Sequence, residues 1–464
     1  MYLFKKKFRN CISWNNLSLS FILFFMLMFL LTNNVNAQKQ VSLKQAILSG
    51  LNQKKSNQAA KLNVSIALLQ TKALYRKYLP QVSAEYNFLY NPILQTSILP
   101  IGVFNPAYPI DATKSVQFGT KWTQSAGLTA TQNLLDLSII KQINEFKLKE
   151  RIAILSQAQT EYELVYQIAQ SYIQIYLEEA KIQALVSDTN RTFLSYDMMK
   201  NQFDENRLLK SDLNKAIINH HNSLQSLHNG FVLLIENKVN LLYLMGIDEI
   251  NEFDFEIDSM FSLNSSYLWV IQPNSIQFIP ELQSLLIQDE LIQIQTTTEK
   301  SKHYPVIALK GYLGANQFSN SFNPADANTW FGLSYVGLNV KVPILTGENL
   351  HNKISQLALQ SHQFNYQKED KIKFYEKESF LAKTKMENLS EQLKIQSINL
   401  NLLDESVSIS QSRVSEGKES AYSLNLEEVE LQLMKSNYHV SQKQLWVYWL
   451  DYLKSSGQLF VLWN

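Results

Sequence analysis

The sequence predicts a mostly helical, mixed α and β chain, built as two copies of one helix, hairpin and long-helix unit. Residues Leu128 to Asn229 and Glu348 to Glu416 contain neither glycine nor proline. All ten prolines fall in two clusters, Pro80 to Pro109 and Pro273 to Pro343. Each cluster is bordered by segments in which apolar and polar residues alternate. Glycine and proline interrupt helices, so stretches without them permit very long ones. A period of two marks strands with one apolar face.

The amino terminus sets the compartment. Lys5, Lys6, Lys7 and Arg9 form a basic region, Leu17 to Leu31 an apolar core, and Val35-Asn36-Ala37 a small-residue cleavage site. This is the pattern of a secretory signal peptide over residues 1–37, with Gln38 as the expected mature terminus. The apolar run is short for a membrane span, which weighs against an uncleaved anchor. Cys11 is the only cysteine. The mature chain therefore has no disulfide and no thiolate nucleophile. Removing Lys5, Lys6, Lys7 and Arg9 from 42 basic residues leaves 38 against 41 acidic ones, a balance of −3. That balance gives no reason to expect nucleic acid as a partner. Charged residues make up 18%, below the quarter or so usual for soluble domains.

Strands come next in each copy. Val82, Ala84, Tyr86, Phe88 and Tyr90 alternate with Ser83, Glu85 and Asn87 after Pro80. Past a proline-rich loop, Asn91 to Thr113, the alternation returns through Val116, Phe118, Trp122, Ala126 and Leu128. The second copy runs from Val306 to Tyr312 and returns from Trp330 to Val342. Aromatic residues on short alternating segments are the weak signature of a membrane β-barrel. Four strands cannot close a barrel, and an open edge cannot face lipid. A membrane reading therefore requires several chains to share one barrel, two giving eight strands and three giving twelve.

Long helices follow the strands. Leu135 to Asn206 is a step of 71 residues, and Leu345 to Gly417 a step of 72. Asn and Gly most readily adopt the left-handed backbone of a tight turn, so each position predicts a helix–helix turn. A helix of roughly 65 residues is about 100 Å long. After the first turn Leu213, Ala216, His220, Leu224, Leu227, Phe231 and Leu234 step by threes and fours, the spacing of a coiled-coil seam. The organisation is then a first repeat over 38–272, with a hairpin at 81–132, long helices at 137–247 and a connector at 248–272. The second repeat covers 273–464, with a hairpin at 306–343, long helices at 347–457 and an apolar C-terminal segment, read as a short strand or packing segment.

Over essentially its whole mature length the chain resembles the outer-membrane efflux, or TolC-like, family. Carrying the resemblance are the signal peptide, the duplication, the strand-to-helix junction Gln132-Asn133-Leu134-Leu135-Asp136, and Val342-Pro343-Ile344-Leu345 in the second copy. The segment from Phe203 to Leu213 matches the family pattern of an aromatic residue, a tip glycine and an aspartate six positions later, with Asn206 in place of the glycine and Asp212 as the aspartate. In the second copy Gly417 keeps the glycine, and Ser423 stands where the aspartate is usual. The resemblance implies a homotrimer, in which four strands per chain make a twelve-stranded barrel in outer-membrane lipid and the helices make a periplasmic tunnel. It also implies two partners, a periplasmic adaptor (membrane fusion) protein and, through it, an inner-membrane transporter. Energy then comes from the inner-membrane partner, and neither catalytic residues nor cofactors are expected.

Two sets of residues stand out as candidate sites. Asn206, Arg207 and Leu208 at one turn, with Glu416, Gly417 and Lys418 at the other, form the expected adaptor-docking tips. Asp212 after the first tip, with Glu419, Ser423, Glu427 and Glu430 after the second, form the expected gate; the last four share a helical face by their spacing. Three-fold repetition would gather these carboxylates around an axis, where they attract cations and repel one another. The plain alternative is a solvated charged surface.

Enzyme motifs are missing from the sequence. His220 and His221 are adjacent and point in different directions on a helix, unlike metal ligands on one face. There is no HExxH, Gly-x-Ser-x-Gly or phosphate-cradling glycine loop. The function expected is a passive outer-membrane exit duct for small molecules. Type I protein secretion is the alternative within that class, and a periplasmic coiled-coil scaffold the alternative outside it.

Overall fold

The computed structural model describes residues 39–104, 106–248, 255–257, 276–344 and 349–463. The expected signal peptide, most of the 248–272 connector and Leu345 of the second junction lie outside the described residues. In chain order the elements are strand β1 (Lys39–Val41), helices α1 (Leu43–Gln53) and α2 (Lys55–Arg76), and strands β2 (Gln81–Tyr90), β3 (Gln95–Pro100), β4 (Thr113–Phe118) and β5 (Trp122–Leu135). Helices α3 (Leu137–Asp204) and α4 (Lys210–Met245), strand β6 (Phe255–Ile257) and helix α5 (Pro280–Ser301) follow. Strands β7 (Val306–Ser319) and β8 (Trp330–Lys341) and helices α6 (Asn349–Ser415) and α7 (Ala421–Ser455) complete the chain, with a final 3₁₀ turn at Leu459–Leu462.

The two copies match closely in their helices. α2 and α5 both have 22 residues. α3 and α6 have 68 and 67, and α4 and α7 have 36 and 35. Each long helix is about 100 Å. α3 packs on α2 and α5 toward the sheet and on α4 and α7 toward the far end, while α6 packs on α5 and α7.

β2, β5, β7 and β8 form one antiparallel sheet in that order. Hairpins β2–β5 and β7–β8 join along β5–β7, where Gly127 is opposite Gly314. Among the described residues neither edge, β2 or β8, has an outer partner strand. Register separates the faces. One carries Val82, Ala84, Tyr86, Phe88 and Tyr90 and, through their partners, Ala126, Leu128, Leu313, Val336 and Leu338. Glu85, Lys310 and Lys341, the only charged residues of the four strands, all lie on the other. The uncharged face ends in a cluster of Phe88, Tyr90, Trp122 and Phe322. The edge strands β2 and β8 are exposed within one chain, and the central strands β5 and β7 mostly half-buried.

Two strand expectations are corrected. The alternation from Val116 to Leu128 is not one strand, because Gly119 at φ +98° breaks it into β4 and β5. The proline-rich segment is not a plain loop either, since β3 and β4 pair from Gln95↔Phe118 to Pro100↔Thr113 as a separate ribbon. Pro100 ends β3 at its outer extremity, where a missing N–H does least harm to the ladder.

The junction motif has a local job. Asp136 caps α3, its carboxylate accepting from the Ser138 N–H at 2.9 Å and the Ser138 hydroxyl at 2.6 Å. Tyr78 donates to the Asp136 carbonyl at 3.0 Å, and the Gln132 side chain returns a bond to the Tyr78 carbonyl at 3.1 Å. A bulge lies between Asn133 and Leu135, and it re-aims the strand into the helix.

The main core lies midway along the helices. Tyr162, Val165, Ile168, Tyr172 and Ile175 of α3 pack with Ile47 of α1, Leu241 of α4 and Trp446, Trp449 and Leu450 of α7. Tyr172 donates to the Val41 carbonyl at 3.0 Å, tying β1 to this belt. The C-terminal segment is a packing segment rather than a strand, with Leu459 fully buried in the same core.

The α4 seam also differs from expectation. Its buried positions are Ala216, Asn219, Ser223 and Gly230, while Leu213, Leu224, Leu227 and Leu234 are half-buried and Phe231 is exposed. Small residues allow α3 and α4 to approach closely; a Cβ on Gly230 would lie 3.2 Å from Leu185 and 3.3 Å from Ile182.

Candidate functional site

Both helical hairpins end in the same backbone device. Asn206 has φ +59° and Gly417 φ +73°, and Asn206 is the only non-glycine with positive φ among the described residues. At the first tip the Arg207 N–H reaches back to the Gln202 carbonyl at 2.8 Å, and at the second the Lys418 N–H reaches Arg413 at 2.9 Å. This closure satisfies the last helical carbonyls and requires a left-handed residue. Each tip then neutralises itself, with Arg207–Glu205 at 3.2 Å and Lys418–Glu416 at 2.5 Å, all four side chains exposed. Leu208 tucks into a cluster with Met199, Ala216, Val414, Ala421 and Leu424, and this cluster holds the two hairpins together. The Gln202 side chain donates across to the Val414 carbonyl at 3.2 Å.

The tips differ at one matched position. Three residues past Gly417, Ser420 caps α7 through the Tyr422 N–H at 3.1 Å. Three residues past Asn206 stands Leu209, with no capping bond and 70% exposed. Leucine is a poor N-cap, so the first tip forgoes about 1 kcal/mol of helix stability there.

The gate candidates are not one cluster. Asp212 sits in the first turn of α4 and pairs with Lys215 at 3.1 Å, while Lys215 also lies over the Tyr422 ring at 4.2 Å. Glu419 is corrected: it precedes the Ser420 cap and so lies in the tip turn, not on the α7 face. There it pairs with Arg413 at 3.3 Å. Glu427 is half-buried and accepts from the Ser406 hydroxyl at 3.4 Å, Ser423 is half-buried, and Glu430 is exposed.

A buried polar layer just beyond these residues has no counterpart in the sequence reading. Glu428, 2% exposed, approaches Arg191 of α3 at 2.9 Å and accepts from the Asn219 amide of α4 at 3.0 Å. Oε1 and Nη1 are close, but the guanidinium N–H is not aimed at the carboxylate, so the contact is an ion pair without an aligned hydrogen bond. Burial pushes the Glu428 carboxyl up from its ordinary value, more than the Arg191 charge and the Asn219 bond pull it down. Next to it, buried Asp188 takes Lys435 of α7 at 2.8 Å, and Lys435 reaches Asp404 of α6 at 3.5 Å. Thr192 and Ser223 share a hydrogen bond at 2.8 Å. Three helices thus meet through charge, and α4 joins them through the Asn219 amide. The signal was present: Ala421, Leu424, Glu428 and Leu431 step by threes and fours, which places a carboxylate in an apolar seam.

Among the described residues no group of three or more His, Cys, Asp or Glu side chains is placed to hold a metal ion. No helix among them is long and apolar enough to cross a membrane, which says nothing of a β-barrel.

A four-stranded sheet continued by two helices of about 100 Å, each turned at a left-handed tip, is the fold of solved outer-membrane channels, and this chain shares that fold. The solved structure of CusC, described in relation to transmembrane channel formation, superposes with a TM-score of 0.71 at 16% identity, over 90% of this chain and 92% of that one. The CmeC outer membrane channel of Campylobacter jejuni gives 0.68 at 12% identity, over 90% and 85%. The open state of the MtrE outer membrane channel of Neisseria gonorrhoeae gives 0.65 at 14%, over 90% and 89%. No protein-family model matches the sequence, and no curated protein matches it either.

Proposed function

We propose that this chain is the outer-membrane subunit of a tripartite efflux system, a passive duct that carries small molecules across the periplasm and outer membrane. The observation that carries this reading is the sheet. It has one face without charge, a second face with all three strand charges, and, among the described residues, two edges without partners. Such a sheet is stable in lipid only when closed by other copies. Three copies joined β2 to β8 make a twelve-stranded barrel, with the Val82 face outward and the Glu85 face lining the lumen. The aromatic cluster around Trp122 then sits at the outer membrane–water interface.

The long helices of three copies continue the lumen as a tunnel. Asn206, Arg207, Leu208, Glu416, Gly417 and Lys418 dock a periplasmic adaptor, which joins the duct to an inner-membrane transporter. Asp212, Glu419, Ser423, Glu427 and Glu430 line the narrow end. The chain performs no reaction; its work is positional.

The test is fractionation of cells making the full chain, followed by native mass measurement in detergent. A trimer in the outer membrane that requires detergent is the expected result. A correctly exported, folded, soluble monomer would overturn the barrel and leave the coiled-coil scaffold.

A further inference from the structure

The Glu85 face carries an arrangement that closing a barrel does not require. Tyr312 and Tyr335 are register partners, with ring centroids 5.7 Å apart and planes 20° apart. Tyr312 lies along the sheet over the glycine pair at the seam between the two hairpins. A Cβ on Gly127 would stand 2.5 Å from the Tyr312 Oη and 2.8 Å from its Cε2, and one on Gly314 2.6 Å from the same Oη. No larger residue fits either place without moving the ring or the backbone. The ring is thus laid flat over the glycines and is half-buried, and Tyr335 beside it is 46% exposed.

Glu85 occupies the same rung as those glycines, in the order Glu85, Gly127, Gly314 across β2, β5 and β7. The hydroxyl end of Tyr312 therefore points toward the only acid of the four strands. Glu85 is exposed, and the Ser83 hydroxyl lies 3.5 Å away. Lys310 is on the same face at the other side of Tyr312, so the pair has an acidic and a basic flank.

Resting on the channel reading, we propose that Tyr312, Tyr335 and Glu85 form a contact site inside the barrel for planar aromatic cations. The flat ring and its partner offer π faces to a cationic ring system, and Glu85 supplies the countercharge. A duct needs such sites to be weak, because a passing solute must leave as easily as it enters. Three copies would set three sites around one lumen.

The test is fluorescence-anisotropy titration of ethidium, a planar aromatic cation, with the detergent-solubilised full chain, subtracting empty micelles. We expect Tyr312→Ala with Tyr335→Ala to weaken binding about tenfold, the loss of roughly one cation–π and one stacking contact. Tyr312→Phe with Tyr335→Phe keeps the π faces and retains binding. Glu85→Gln weakens ethidium about threefold, and leaves the aromatic anion 8-anilinonaphthalene-1-sulfonate no weaker. Tetrabutylammonium, a cation without a ring, does not compete. If the double alanine variant does not assemble, Tyr335→Ala alone gives the same direction, since that ring is the more exposed. Equal ethidium binding by the wild-type and alanine variants, or binding to micelles only, would overturn the proposal. Native mass separates the two readings: a trimer with variant-insensitive binding sinks this site alone, and a soluble monomer sinks the channel.

Discussion

Arg191 of α3 and Glu428 of α7 lie 2.9 Å apart inside the helical end of the molecule, 17% and 2% exposed. They join the two structural copies, since α3 belongs to the first and α7 to the second. Replacing Glu428 by Ala leaves the guanidinium without its nearest anion and the Asn219 amide without an acceptor. We expect a loss of about 3–5 kcal/mol from that end of the molecule, read as a fall in thermal midpoint of the detergent-solubilised protein. Glu428→Gln keeps shape and an acceptor oxygen, and loses less.

The same carboxyl has a pH signature with a fixed sign. Its folded pKa is raised, so the native state holds the proton where the unfolded chain has lost it. The Glu428 contribution is fully present below the ordinary carboxylate value and is lost as pH rises through the raised one. Half-buried His439 and His220 act oppositely, because partial burial lowers both and acidification then favours the unfolded chain. The useful quantity is therefore wild type minus Glu428→Gln. That difference should fall as pH rises through the window above ordinary glutamate, in a series of melts from mildly acidic to neutral pH. A flat difference would remove the raised pKa.

Gly417 has φ +73° and open space around its missing Cβ, so an alanine there pays only for backbone. Gly417→Ala should cost about 1 kcal/mol, while Gly417→Asn, which imitates the first tip, should cost less. Asn206→Gly should be neutral or slightly stabilising. Thermal unfolding of the three variants tests the order.

Leu209 is the mismatched partner of Ser420. Leu209→Ser restores a cap and should stabilise α4 by up to about 1 kcal/mol. If the first tip docks an adaptor through apolar contact, the same change weakens capture of that adaptor by immobilised protein. A gain in both stability and capture would assign Leu209 no docking role.

The gate is tested by charge. Neutralising Asp212, Glu419 and Glu427 together should lower the preference for cations in planar-bilayer conductance, and more so at low salt, where screening is weak. Unchanged conductance and selectivity would make these residues a solvated surface. The pairs Asp212–Lys215 and Arg413–Glu419 already offset two of the three charges, so the expected change is modest.

The fold class was legible because its determinants are local. A run without glycine or proline permits a long helix wherever it lies, and α3 and α6 occupy those runs. Asn206 and Gly417 stood out because left-handed backbone selects for those residue types. Strand alternation gave the two faces but missed the break at Gly119 and the β3–β4 ribbon, since a period of two does not say which strand pairs with which. The tip pattern gave Asp212 and helical spacing gave Glu427 and Glu430 as candidates, yet spacing alone did not tell half-buried Glu427 from buried Glu428.

By itself, then, the sequence determined the lengths of the helices, the positions of their turns and the two-faced strands. These follow from backbone preferences acting over a few residues. Tertiary structure decided which side chains are buried: Glu428 against Arg191, the small-residue seam of α4, and Tyr312 over Gly127 and Gly314. Each joins residues far apart in the chain, and each depends on which helix or strand lies across from it. No local window of sequence contains that information.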